Sequence, residues 1–366
     1  MNLGNPSSEE IRRMLTRLPN EQDARAATVR IDGRGLTTLS IRGPGKVPRV
    51  YAATQTELVA LDPAQDDRLP GSRLVADHKT LERRLGLQRH SLREFTLVAY
   101  RPGKRIVARI DTGPDGGVLY LKFLSKHGYR RAEAALAAIA ETGAGVSLVL
   151  PCGWLKKERI LVAEEARGPS LFELLQAGEP IDLDLLVRAI RSFSRLGASA
   201  SLPSHSLEDD RASALKALER GARVLPEIEE LHGLVRGLAL PDASGRSLLH
   251  TDLHDKQIFI DGSSVRFIDL EGIERGDWRT DVVNLSEQLR LRSLQWRTTE
   301  GLADLPDALL RSFDLDPNDP FVRVMCGLVR SRLAGVYALR PRWIMLSREL
   351  ASAARSALTW SRSGTS

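Results

Sequence analysis

The chain has 366 residues, 42% of them hydrophobic and 27% charged, enough for two domains of ordinary globular composition, each with a buried core. A net charge of +6 and a pI near 9.5 suggest a nucleic-acid partner, but aromatic residues make up only 5% and no RNP, KH or zinc-finger pattern occurs, so none is expected. No apolar run approaches the ~18 residues of a membrane span, and the opening MNLGNPSSEEIRRML lacks a signal-peptide layout. The two cysteines, Cys152 and Cys326, give neither a disulfide framework nor a zinc site. Both are expected to be reduced core residues of a cytoplasmic protein.

In chain order, residues 8–18 predict a short helix, with Ser8 as cap and acids in the first turn. Residues 26–62 alternate as strands among Gly and Pro, 62–72 read as a loop, and 76–86 as a second short helix. No function is legible in residues 1–90. From Arg93 the alternation of Phe95, Leu97 and Ala99 leads into Tyr100-Arg101-Pro102-Gly103-Lys104-Arg105, and Ile106, Val107 and Ile110 return, a hairpin with a basic turn. Val118–Phe123 predicts a strand carrying Lys122 among apolar residues, and the following helix carries Glu133 and closes at Gly143. Strands are expected at 148–154 and 159–165, then a linker Gly168-Pro169-Ser170 and a helix LFELLQAG. Helices are expected over 182–200, 209–237, 281–295, 303–313 and 320–338.

The informative stretch is 247–285. His250 is followed by Asp252 and Gln257; Ile258–Ile260 and Val265–Ile268 form a hairpin about Asp261-Gly262, and its second strand delivers Asp269. An acid, an amide and a second acid around one point suit phosphoryl transfer, with Asp252 accepting a hydroxyl proton and Gln257 and Asp269 holding magnesium. A rival reading places His250, Asp252 and His254 on one face of a strand as the two-His, one-carboxylate set of a metal-dependent oxygenase. That leaves Gln257, the hairpin and Asp269 without a task.

His250-x-Asp252-x4-Gln257, Ile268-Asp269-Leu270-Glu271 and Gly276-Asp277-x3-Asp281-Val282 together resemble the aminoglycoside phosphotransferases and their choline-kinase and maltokinase relatives. The resemblance covers roughly residues 93–285 and departs from the pattern in having Gln257 where Asn is usual. It implies an α+β, two-lobed protein-kinase-like fold: a partly stranded extension over 1–90 joined to the N-lobe, an antiparallel ATP-binding N-lobe over 91–168 and a helical C-lobe over 169–366. It further implies ATP (or GTP) with Mg2+, and a small hydroxylated acceptor such as a sugar, amino alcohol or aminoglycoside. Asp252 would be the base and His250 a brace for the loop, with Asp281 bonding that loop from behind. Lys122 would pair with Glu133 and meet the phosphates, Arg105 would sit in the phosphate-covering turn, and the backbone at Glu164, Glu165 and Ala166 would meet adenine. The alternative that Gln257 allows is a catalytically weak nucleotide-binding protein.

Charge is unevenly spread. Residues 170–320 hold 27 acids and 17 bases, while 321–366 hold eight arginines and one glutamate. The acidic body favours a neutral or cationic acceptor, and the arginine-rich C-terminus allows peripheral contact with anionic lipid.

Overall fold

A computed structural model describes residues 8–18, 27–31, 37–42, 47–53, 57–114, 116–140, 148–196, 198–199, 201–297 and 301–363. Its contacts divide the chain into two units, Met1–Glu133 with Val149–Ala166, and Ala134–Leu148 with Arg167–Ser366.

The first unit opens with α1 (Ser8–Thr16), then β1 (Ala27–Ile31), β2 (Thr37–Ile41), β3 (Arg49–Ala53) and β4 (Leu58–Ala60), an antiparallel sheet in chain order. The stretch read as a loop over 62–72 contains a 3-10 turn at Pro63–Gln65, because the Asp62 carboxylate accepts the Ala64 amide at 2.9 Å and Pro63 presets the first turn. Helix α2 (His78–Leu85) is capped by Asp77 and closed by Gly86 at φ 68°. A five-stranded antiparallel sheet follows, of β5 (Glu94–Arg101), β6 (Arg105–Asp111), β7 (Val118–Leu124), β8 (Pro151–Leu155) and β9 (Ile160–Glu164), in the order β5-β6-β7-β9-β8. The first sheet does not extend the second; they share a core in which Val50 joins Leu69, Leu81, Ile106, Leu121 and Phe123. The β8–β9 register shifts between Pro151 and Gly153, and that irregularity leaves Cys152 exposed, so only Cys326 is the buried cysteine expected of both.

Helix α3 (Lys126–Ala140) lies between β7 and β8 in sequence. Its predicted last residues, 141–143, lie outside the described residues.

The second unit is built of α4 (Leu171–Ala177), α5 (Leu183–Arg195), α6 (Leu207–Ala222) and α7 (Glu229–Arg236), then the short strands β10 (Ser247–Leu249), β11 (Ile258–Asp261), β12 (Ser264–Phe267) and β13 (Glu274–Gly276). Helices α8 (Arg279–Trp296), α9 (Leu305–Ser312), α10 (Pro320–Ala338) and α11 (Ile344–Ser363) complete it. The single helix expected over 209–237 is two, interrupted by a 3-10 turn at Pro226–Ile228, since Pro226 has no amide to continue the ladder. Helix α11 was not expected; its buried face has only Leu346, Leu350 and Leu358 as large apolar residues, with Ser347, Ala351 and Ala354 between them, so its apolar stripe is faint beside its arginines. Helices α6 and α10 approach at Gly221 and Gly335, where a Cβ on Gly221 would stand 2.7 Å from the Gly335 carbonyl oxygen. No helix among the described residues is long and apolar enough to cross a membrane.

Candidate functional site

In the first unit the tip of the β5–β6 hairpin is fixed by its own glycine. Gly103 has φ 66°, and its amide donates to Asp66 Oδ2 at 2.6 Å, where the Tyr100 hydroxyl also donates at 3.1 Å. Burial, then the Asp66 charge, push the Tyr100 phenol well up, so it stays a donor. Arg105 opens β6 beside this turn, half-buried, and its Nε is buried without a hydrogen-bond partner. Lys122 lies mid-strand on β7, between Val107 of β6 and Leu161 of β9, and is half-buried.

Glu133, the expected partner of Lys122, is exposed on α3. Tyr129, Ala132, Ala135, Ala138 and Ile139 face inward on α3, and Glu133 is about 100° round from Ala132.

At the end of β9, Glu164 and Glu165 are exposed and Ala166 is half-buried. The Glu165 amide is taken by the Val118 carbonyl at 3.1 Å, and its carboxylate accepts from Arg109 Nε at 3.2 Å. Of the two amides at 165 and 166, that of Ala166 is the one without a backbone acceptor among the described residues.

In the second unit β10 ends at Leu249, and the chain then departs from strand geometry. Thr251 has φ 67°, a conformation that a β-branched residue adopts only when held there. Asp281, at the start of α8 and buried, does the holding: its Oδ2 accepts the His250 amide at 2.6 Å and its Oδ1 the Thr251 amide at 2.9 Å. Burial pushes the Asp281 carboxyl up, opposed by His250 and by these two amides. His250 Nε2 donates to the Ile268 carbonyl at 2.8 Å, which fixes the proton on that nitrogen, because a carbonyl can only accept. Its ring packs on Phe193, which packs on Phe267 of β12. His250 is therefore a brace between loop and hairpin.

The turn Asp255–Gln257 carries the loop into β11. Asp255 is fully buried and chelated by Arg292 of α8, at 2.6 Å to Nε and 3.1 Å to Nη2. Asn284, one turn after Asp281, donates Nδ2 to the Leu253 carbonyl at 2.8 Å. Sequence reasoning had no signal for either tie. Gln257 is buried, its carbonyl accepts the Ile268 amide at 3.1 Å, and its Oε1 is buried without a hydrogen-bond partner. Asp269 follows Ile268 directly, half-buried at φ 63°, in a left-handed turn that aspartate tolerates better than most residues. Asp252 is the exposed member, its side chain 57% accessible.

The oxygenase set of His250, Asp252 and His254 is not assembled. These residues are not on a strand, His250 Nε2 is committed to Ile268, and His254 Nδ1 accepts the Lys256 amide at 3.2 Å. No group of three His, Cys, Asp or Glu able to hold a metal ion occurs among the described residues.

Strand β13, which pairs with β10, is secured by His205. Its Nδ1 lies 2.9 Å from Glu274 and its Nε2 3.0 Å from Asp210. Burial alone would push the ring's pKa down, but the hydrogen bonds and charges of the two carboxylates outweigh it and carry it up to about 10. A raised folded-state value means the stabilisation is complete below the unfolded value near 6.5 and is lost as pH rises through about 10. Denaturant melts of the wild type should therefore lose on the order of a few kcal/mol across that window. His205→Gln should lack that slope; an unchanged slope in the variant would remove His205 as its source.

An antiparallel β unit with a mid-sheet lysine and a helical unit with this loop and hairpin define a protein-kinase-like fold. Among solved structures, a thermostable mutant of the aminoglycoside phosphotransferase APH(4)-Ia in its apo form is similar at a TM-score of 0.52 and 14% identity, over 78% of this chain and 99% of that one. A further variant of that enzyme, in ternary complex with ADP and hygromycin B, is similar at 0.50 and 15%, over 79% and 98%. The aminoglycoside-3'-phosphotransferase of type VIII is similar at 0.50 and 19%, over 70% and 99%. No protein-family model matches the sequence, and no curated protein does. At these identities the likeness establishes the fold.

Proposed function

We propose that the chain is a phosphotransferase moving the γ-phosphoryl group of ATP (or GTP) to a hydroxyl of a small molecule. One observation carries this reading: the buried, partnerless Oε1 of Gln257, tied through Ile268 to Asp269. A buried amide oxygen without a donor costs roughly 1–3 kcal/mol, a cost a bound cation removes. An amide oxygen beside a carboxylate suits magnesium, which takes oxygen ligands and completes its shell with substrate phosphates and water. Bound there, the ion would draw charge from the phosphates.

The chain's own residues do the rest. Lys122 and Arg105 hold nucleotide phosphates, and the Ala166 amide meets the base. Asp252 accepts the proton of the acceptor hydroxyl as its oxygen bonds to the γ-phosphorus, while the bond from that phosphorus to the departing nucleoside diphosphate breaks. His250 and Asp281 keep Asp252 in place without touching substrate. Sugars, amino alcohols and aminoglycosides are the acceptor classes first to be tried, following the hygromycin B held by one structural neighbour.

The test is phosphoryl transfer by purified protein with ATP and Mg2+ over a panel of hydroxylated compounds, with metal-dependent binding measured alongside. Asp269→Ala should weaken magnesium-dependent ATP binding by at least the roughly 10–100-fold that follows loss of a metal-supporting group. Binding without metal should hardly change. Gln257→Asn should retain binding and turnover, and Gln257→Ala should lose both. Equal damage from the two Gln257 substitutions would remove the amide from the metal's shell.

A further inference from the structure

We infer that the acceptor carries an oxyanion, a carboxylate, sulfate or phosphate, and that Arg332 binds it beside Asp252. The inference rests on the reading of Asp252 as the base. Arg332, on α10, donates Nη2 to Asn284 Oδ1 at 2.7 Å. Asn284 is 2% exposed and gives its other end to the Leu253 carbonyl, so its amide cannot turn over without losing both bonds. The arginine is thus anchored to the same frame that holds the residue after Asp252.

What distinguishes Arg332 is the neutrality of that anchor. Arg292 is chelated by Asp255, Arg330 by Glu287 and Arg279 by Asp277, so each of those charges is cancelled where it sits. Among the described residues the carboxylate paired with Arg332 is that of Asp252, with Oδ1 3.8 Å from Nη1. That is close enough for attraction and beyond the roughly 3.2 Å limit of an N–H···O bond. Among the described residues the guanidinium makes one side-chain hydrogen bond, so most of its five N–H groups have no acceptor. Its side chain is 24% exposed, within reach of a ligand.

A structural pair would close up. Three residues further along the same loop, Asp255 and Arg292 meet through two bonds of 2.6 and 3.1 Å. Such closure on Asp252 would occupy the lone pairs that a base needs for a hydroxyl. The open spacing leaves carboxylate and guanidinium each able to take its own part of one acceptor. With Oδ1 and Nη1 as the bonding atoms, adding a hydrogen bond of about 2.8 Å at either end of the 3.8 Å gap bounds the distance from reacting hydroxyl to oxyanion at roughly 9 Å. A hydroxy acid, a sugar acid or a phosphorylated or sulfated sugar fits that bound.

Matched ligands test this: glucuronate, glucose and glucosamine, and gluconate, sorbitol and glucamine, alike in hydroxyls and different in charge. Calorimetric binding to the full-length protein should favour each acid at least tenfold over its neutral and amine partners. Arg332→Gln should remove that preference, Arg332→Lys should restore part of it, and salt should weaken it. Equal or better binding of the neutral or amine members, or no binding of either acid, would overturn the inference. So would an Arg332→Gln effect equal for all six. Should Arg332→Gln fail to fold, Arg332→Lys alone decides, with acid preference reduced or unchanged. Transfer from ATP separates the two readings: acids bound through Arg332 but never phosphorylated would sink the phosphotransferase and leave the oxyanion site. Phosphorylation of neutral or amine members without acid preference would do the reverse.

Discussion

Asp252→Asn is expected to lower phosphoryl transfer by roughly 10²–10⁴-fold while leaving nucleotide binding and the melting temperature essentially unchanged. The rate effect follows from removing a proton acceptor that nothing else in the loop replaces. His250 Nε2 is committed to Ile268, and Asp255 is sealed under Arg292. The silence in stability follows from exposure: the Asp252 side chain is 57% accessible, and its loose pairing with Arg332 belongs to the class worth about 0–1 kcal/mol. Nucleotide binding is spared because the carboxylate addresses the acceptor. Wild-type turnover by the variant would take the base role away from Asp252.

The hairpin that presents Asp269 was legible because its turn chemistry is local: Gly262 at φ 55° closes a two-residue turn, and Ile258↔Phe267 and Ile260↔Val265 set a register that the alternation already implied. The link from Asp281 to the His250 loop was legible through resemblance alone; its two-amide grip on a left-handed Thr251 could not be read from residue types. Asp255 with Arg292 and Asn284 with Arg332 join residues 37 and 48 positions apart, and a single sequence does not register such partners. Helix α11 was missed because its three buried leucines, Leu346, Leu350 and Leu358, are spread among alanines, serines and exposed arginines.

The excess of acids in 170–320 pointed to a neutral or cationic acceptor, yet several of those acids are neutralised where they stand. Glu227 and Glu230 are engaged by Arg348 and Arg355 of α11, Glu287 by Arg330, and Asp210 and Glu274 share His205. Three of the eight arginines in the C-terminal stretch are thus counter-charges of the acidic body. A count over a segment averages such pairs with the few groups a ligand meets. Beside Asp252 one such group is the Arg332 guanidinium, the one the proposed oxyanion would meet.

Breaking the buried pair beneath the loop should be the most costly change to stability. Asp255→Ala leaves Arg292 buried with its charge uncompensated, and Arg292→Met does the same to a fully buried carboxylate; each is expected to cost about 3–5 kcal/mol in denaturant melts. Joint replacement by Asp255→Leu with Arg292→Met removes both charges at once, and most of that loss should return, because a buried ion pair is often no more stabilising than apolar residues of similar volume. Function should not return with it. The Asp255 carboxylate sits in the turn that orients Gln257, and Arg292 also reaches Gln295, which bonds the Tyr337 hydroxyl, so the pair sets the turn's position as well as its charge balance. The doubly substituted protein should melt near the wild type and bind ATP in a way that magnesium no longer strengthens. Full metal-dependent binding in that protein would show that the turn needs no ionic anchor, and additive rather than compensating losses would show that Asp255 and Arg292 do not act as a pair.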